Sequence, residues 1–233
     1  MTSLAPLHMA GERLMLCPMG VLLWPARRSL IAADLHLEKG SHFAARGRPL
    51  PPYDTRATLE RFSLALRRHD PRRVILLGDS FHDAGGAARL APDDLALLRR
   101  LLKGREVVWV LGNHDPAPPE GLPGAAVEAL AEGPLRFRHI GGQPLARQGE
   151  AEISGHLHPK ARLLTRAGPL TRPCFVSDGR RLVLPALGAY AGGLDLADGA
   201  FAALFPRGAR AFLLGEERLY SLPVAPHRGA LSA

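Results

Sequence analysis

Arg73-Val-Ile-Leu-Leu-Gly-Asp-Ser-Phe-His82 and its echo Glu106-Val-Val-Trp-Val-Leu-Gly-Asn-His-Asp115 decide how this chain folds. In each, a short apolar run rich in β-branched residues stops on glycine and then on polar side chains able to do chemistry. A run that is apolar on both faces predicts a buried strand of a parallel sheet. Between the two runs, Pro92 fits a first helical turn, Leu95, Leu98 and Leu102 share one face, and Gly104 ends the helix. Upstream, Asp54 or Thr55 can cap a helix running to about Arg68, with Leu59, Phe62 and Leu66 inward. Ser29 to Asp34 reads as another short buried strand. Strand, helix, strand, helix, strand implies right-handed parallel units whose loops gather at the strand C-termini. Residues 40–52 and 79–91 read as two such loops.

Outward from this centre the text is rich in strands. Arg13 to Cys17 and Val21 to Trp24 flank Pro18-Met19-Gly20, a hairpin signal. Beyond Pro134 come short strands separated by turns such as Ser177-Asp178-Gly179-Arg180 and Gly215-Glu216-Glu217, with no helix as strong as the earlier two. Two packed sheets with helices outside, in a single domain over residues 1–233, are therefore expected.

Composition narrows the class. With 46% hydrophobic and 22% charged residues, the 233-residue chain is an ordinary globular mixture. No apolar stretch approaches the roughly 20 residues a membrane span needs, and Glu12 and Arg13 interrupt the N-terminal apolar run where a secretory signal would continue. Cys17 and Cys174 make neither a disulfide framework nor zinc-like spacing, so a cytoplasmic protein is expected. The net charge of +8 comes from 27 Arg against 3 Lys. It suits an anionic partner such as nucleic acid, or reflects a coding bias toward Arg, Ala, Gly and Pro.

Four clusters carry Asp, Asn or His just past a strand: Asp34-Leu35-His36, Gly78-Asp79-Ser80-Phe81-His82, Gly112-Asn113-His114-Asp115 and Gly155-His156-Leu157-His158. Asp34 and His36 are two apart, as are His156 and His158, and on extended backbone such pairs point the same way. The glycines permit a sharp turn or a close backbone approach. Singly, each cluster reads as surface polarity or a turn. Three of them close parallel strands whose ends converge on one face, which makes a metal site the better reading. Imidazole with carboxylate suits Mn, Fe or Zn, and a carboxylate such as Asp79 can bridge two ions.

In that order the clusters resemble the calcineurin-like metallophosphoesterases, over residues 34 to 158. Ala33-Asp34-Leu35-His36-Leu37-Glu38-Lys39, Gly155-His156-Leu157-His158-Pro159 and Leu184-Pro185-Ala186-Leu187-Gly188-Ala189-Tyr190-Ala191-Gly192-Gly193-Leu194 resemble the ligase-associated DNA damage response endonucleases, the PdeM subgroup. The resemblance implies an α/β (α+β) fold, a four-layer αββα sandwich of two mixed sheets flanked by helices. It implies two divalent ions, Mn²⁺ foremost: one held by Asp34, His36, Asp79 and His158, the other by Asp79, Asn113, His139 and His156, with Asp79 bridging. Ile140 and Gly141 follow His139 where the subgroup has an acidic residue and proline. By similarity, His114 stabilises the transferring phosphoryl group or protonates the leaving oxygen, and Asp115 orients it. His82 completes a Gly-Asp-x-Phe-His form similar to that of the family's nucleases, and reads as a catalytic residue or as one that hydrogen-bonds to a ligand.

The activity implied is hydrolysis of phosphodiester bonds in DNA during repair, by attack of a metal-bridging hydroxide, with a ligase and a helicase as partners. Two alternatives stand beside it: a phosphodiesterase for small diesters or nucleotides, and a metal-stabilised DNA-binding or scaffold protein without turnover. Arg46 and Arg48, with Lys39, Arg89, Lys160 and Arg162, lie on the site side and are expected to meet substrate phosphates. Arg67-Arg68, Arg72-Arg73 and Arg99-Arg100 fall at the opposite strand ends, complementing helix dipoles and aiding solubility. His8, His42, His69 and His227 are expected to pack or be solvated, and Trp24 and Trp109 to belong to the core.

Overall fold

The protein is described by a computed structural model over residues 3–166 and 168–226; His227 falls outside the described residues. Strands β1 (Ala5–Met9), β2 (Glu12–Leu16), β3 (Leu22–Trp24) and β4 (Ser29–Ala32) run as an antiparallel meander. Strands β5 (Arg73–Leu77), β6 (Glu106–Val110) and β7 (Ala125–Val127) extend it in parallel, completing a seven-stranded sheet in sequence order. The expected hairpin is there, pairing Met15 with Leu23 and Leu16 with Leu22.

The strands are apolar on both faces because both faces are covered. Leu30, Ala32, Val74, Leu76, Val107 and Trp109 meet Leu59, Phe62 and Leu66 of helix α2 (Asp54–His69) and Leu98 and Leu102 of α4 (Pro92–Leu102). The intervening residues, Ile31, Ile75, Leu77, Val108 and Val110, point the other way, into a second core with Phe137, Ile153, Phe175, Leu182 and Leu184. One period-2 pattern thus serves two cores. Removing an anchor such as Phe62, fully buried, costs about 3–5 kcal/mol.

Those partners belong to an eight-stranded sheet built from β8 (Ala129–Glu132), β9 (Leu135–Arg138), β10 (Ala151–Ser154), β11 (Lys160–Thr165), β12 (Gly168–Ser177), β13 (Arg181–Val183), β14 (Ala209–Leu214) and β15 (Leu219–Val224). It is mixed: β10 is parallel to β9 and β13, and the other pairings are antiparallel. Its outer face packs Cys174, Val176, Val183 and Leu213 against Phe201 of the short helix α5 (Gly199–Leu204) and Phe205. Helix, sheet, sheet, helix is the αββα layering the sequence led us to expect.

Two segments read as loops contain short helices. Helix α1 (Lys39–Ala44) forms because the Asp54 carboxylate accepts from the Gly40 N–H and the Thr55 hydroxyl accepts from the Glu38 N–H. Asp54 therefore serves a neighbouring helix, and α2 starts after Tyr53 with no side-chain cap. Helix α3 (Gly86–Arg89) is tied through Arg89 to Asp83. Among the described residues, no helix is long and apolar enough to cross a membrane.

At the C-terminal edge the sheets are sewn together. Leu187 and Gly188 donate to the carbonyls of Ala33 and Asp34, and the His156 N–H, just past β10, donates to the Asp34 carboxylate. This brings the end of β10 against the ends of β4, β5 and β6.

Candidate metal centre

Every polar cluster picked out in the sequence arrives at that seam. The backbone that delivers them is not extended, as the two-residue spacings suggested, but left-handed: φ is +54° at Asp34, +44° at His36, +46° at Asp79, +68° at His156 and +44° at His158. Asp and His tolerate this region better than most residues, yet each such residue costs on the order of 1–3 kcal/mol. The reversals send Leu35 and Leu37 into the helix-side core and leave Asp34 and His36 at the seam.

Two donor groups result. Asp34 Oδ1 lies 3.0 Å and His36 Nε2 3.2 Å from His158 Nε2. In the second group, His139 Nε2 lies 3.1 Å from Asp79 Oδ2, 3.3 Å from His156 Nδ1 and 3.0 Å from Asn113 Oδ1. Asp79 stands between them, since the same Oδ2 is 3.8 Å from His36 Nε2. Backbone N–H groups orient both carboxylates: His114 donates to Asp79 Oδ1 and His156 to Asp34.

Imidazole nitrogens crowded this closely against carboxylates, all facing one another, fit a divalent cation. Carboxylate, imidazole and amide oxygen without thiolate is a set for Mn, Fe or Zn. Metal binding needs deprotonated donors. Burial, then nearby His158, pushes His36 down to about 3, and burial with His139 lowers His156. Burial would raise Asp79, but the His139 hydrogen bond and charge, the His114 N–H and His36 together outweigh it and hold the carboxyl at about 2. Conversely, His139 is raised: Asp79 and Asp34 overcome the effect of burial. His139 Nδ1 sits 3.2 Å from the Leu77 carbonyl, which places a proton there and frees Nε2 for a metal.

His114 stands beside the first group, its ring 5.2 Å edge-on from that of His36. Its Nδ1 lies 2.8 Å from the His82 carbonyl oxygen, so Nδ1 carries the proton and Nε2 is left to act. This corrects the expectation for Asp115. Its carboxylate accepts from the N–H groups of Asp79, Ser80, Phe81 and Gly112 and does not orient the His114 ring. Asp115 pins the loop that carries Asp79, and burial raises its carboxyl to about 6 against the pull of those N–H groups. His82 stacks on His114 at 5.1 Å and on Phe43 at 5.7 Å, with Nδ1 3.4 Å from His36 Nδ1. Burial first, then the Lys39 charge, lowers it to about 4, so it is neutral near pH 7.

His42 does pack, but against His82, at 4.7 Å edge-on, while its Nδ1 meets Asp83. Sequence reading misses this support because Asp83 and Arg89 look like ordinary loop charges; the Gly85-Gly86 pair, which lets the chain close on Asp83, is the available signal. Arg89 is committed to Asp83, which it grips at 2.9 and 2.8 Å. Lys39 and Lys160 donate to the carbonyls of Tyr190 and Ala191. Arg46 leans on His42, and Arg48 and Arg162 are exposed. Arg67, Arg68, Arg99 and Arg100 sit in the last turns of α2 and α4.

Gly112 shows why glycine precedes the clusters. A Cβ there would lie 2.2 Å from Asp79 Oδ1 and 2.7 Å from Asp115 Oδ1. Gly112→Ala is expected to displace both carboxylates and destabilise the protein by about 1–3 kcal/mol, the usual cost of overpacking. Denaturant unfolding and bound-metal analysis on the same preparation check it.

Residues 27–178 match the family model described as calcineurin-like phosphoesterase. Among solved structures, the nuclease MPE of Pseudomonas putida is 29% identical over 94% of this chain and 100% of its own, with a TM-score of 0.71. Yfce, a phosphoesterase from E. coli, is 14% identical over 84% of this chain and 98% of its own, with a TM-score of 0.42. No curated protein sequence matches the chain.

Proposed function

Since the chain belongs to the calcineurin-like phosphoesterase family and is a metal-dependent phosphoesterase, we propose that it is a nuclease cutting phosphodiester bonds in DNA with two divalent ions. The observation that carries this reading is Asp79, set between two donor groups with His114 alongside. The likeness to the Pseudomonas putida nuclease supports the choice of polymer over small ester. In this reading Asp34, His36, Asp79 and His158 hold one ion, and Asp79, Asn113, His139 and His156 the other. Mn²⁺ is the first choice, on donor chemistry and resemblance. Ions bound there supply a water of lowered pKa and neutralise charge gathering on phosphorus.

The chain's own residues do the rest. His114, with Nδ1–H held by the His82 carbonyl, presents Nε2 to the phosphoryl oxygens and the leaving oxygen; as the imidazolium it would give its Nε2 proton to the leaving oxygen and keep the one on Nδ1. His82 backs that ring by stacking. Asp115 holds the Asp79 loop. We place the activity in DNA repair, beside a ligase and a helicase, on the resemblance of residues 33–39, 155–159 and 184–194.

Circular single-stranded DNA tests the nuclease reading, because a circle has no ends and only internal cutting linearises it. Metal-stripped protein with Mn²⁺ restored is expected to open the circles, and the His114→Ala protein to leave them closed. Circles and linear strands both intact, with small diesters hydrolysed, would replace this reading with a small-phosphodiester enzyme.

Strand contacts give a second expectation. Arg46 and Arg48 lie on the loop beside the metal centre, whereas Arg67 and Arg68 close a helix at the far end. Arg46→Ala with Arg48→Ala should weaken DNA binding and reduce the slope of log affinity against log salt by about 1.4, roughly 0.7 per phosphate contact on a single strand. Arg67→Ala with Arg68→Ala should leave the slope unchanged. Equal losses from both pairs would contradict the assignment.

A further inference from the structure

A cavity of about 740 Å³ opens against the flank of His156, between the outer face of the second sheet and α5. Its size is that of a small-molecule site. Leu145, Leu157 and Leu204 give it an apolar wall, and Arg180 and Arg207 stand on its rim. Both arginines are exposed, and neither guanidinium has a partner among the described residues.

The surroundings are built to keep this space open. Glu152 is 1% exposed and accepts from Arg138, Arg181 and the Gly142 N–H, so Arg181 is committed to the floor. A Cβ on Gly141 would lie 2.6 Å from Ser154 Oγ, and Gly142 has φ +96°; together they fold the chain after His139 tightly against the sheet. Asp178, the acidic residue at the rim, accepts from the N–H groups of Arg180 and Arg181, which turns its charge into the turn. The cavity therefore starts at a side chain of the metal centre, continues along hydrocarbon and ends at two unpaired cations. In a nucleic-acid strand each nucleoside, whose flat base can rest on hydrocarbon, hangs between two phosphates.

We propose that this cavity holds the nucleotide residue next to the scissile phosphate, its base on Leu157 and Leu204 and its outer phosphate on Arg180 and Arg207. The proposal rests on the nuclease reading and adds to it the second bank of the substrate track, opposite Arg46 and Arg48.

The test is calorimetric titration of Mn²⁺-loaded protein with deoxyadenosine 3′,5′-bisphosphate, which carries a phosphate for each end of the cavity, and, separately, with inorganic phosphate. The nucleotide should bind at least about tenfold more tightly than phosphate, the equivalent of 1.4 kcal/mol. That advantage should vanish in Arg180→Ala with Arg207→Ala, and in Ala203→Trp, which fills the space from α5; Arg100→Ala, remote from the site, should keep it. Phosphate binding measured on every variant reports whether the metal centre is intact. Equal affinity for both ligands in the unaltered protein, or an undiminished advantage in both altered ones, would overturn the proposal. If DNA stays uncut while the advantage is present and lost as described, the nuclease reading fails and the nucleotide site stands.

Discussion

Asp79→Ala abolishes metal-dependent hydrolysis while leaving a folded protein. Asp79 lies within reach of both donor groups, with Oδ2 3.1 Å from His139 Nε2 and 3.8 Å from His36 Nε2. Its other oxygen accepts from the His114 N–H, so the substitution also frees the loop that carries the proton donor. Charge stabilisation by a bound metal is worth several kcal/mol, so the loss in kcat/KM should be about a thousandfold or more. Bound Mn²⁺ should fall below two per chain in the same sample. The fold should survive because β5, which leads into Asp79, is anchored by Ile75, Leu76 and Leu77, all buried. Near-normal turnover by the altered protein would mean that the shared carboxylate is not the centre of the site.

His114→Ala is expected to act differently. It removes no donor from either group, so metal content should be unchanged, while kcat falls about 10²–10⁴-fold, the range for loss of a positioned acid or base. Leaving-group chemistry separates its two roles. A nitrophenolate departs without a proton, whereas the alkoxide of a sugar needs one. A proton donor therefore matters more for DNA than for a nitrophenyl diester, and the loss should be larger on DNA. Equal losses on both substrates would assign His114 to charge stabilisation alone.

Strand runs such as 73–77 and 106–110 are legible because their two-residue alternation feeds two cores at once, and a short run apolar on both faces fits little but a covered strand. The clusters are legible because each ends one of those runs or its counterpart at 151–154. What escapes are features carried by the backbone. The left-handed turns at Asp34, His36, His156 and His158 follow from sheet-to-sheet stitching between residues more than a hundred positions apart. The task of Asp115 is hidden because its partners are four main-chain N–H groups, which no side-chain pattern announces. Helix α1 depends on Asp54 and Thr55 from another element, so its own residues read as loop. The order of the second sheet, with its two parallel pairings at β10, is likewise invisible in strands of three or four residues.

The central claim is that two ions act together at one shared carboxylate. It is tested most directly by titrating metal-stripped protein with Mn²⁺ while bound metal and hydrolysis of a nitrophenyl phosphodiester are recorded together. The account predicts two ions per chain, with the rate rising steeply only as the second is bound, and no turnover in excess chelator. Full turnover with one ion bound, or activity that persists in chelator, would contradict it.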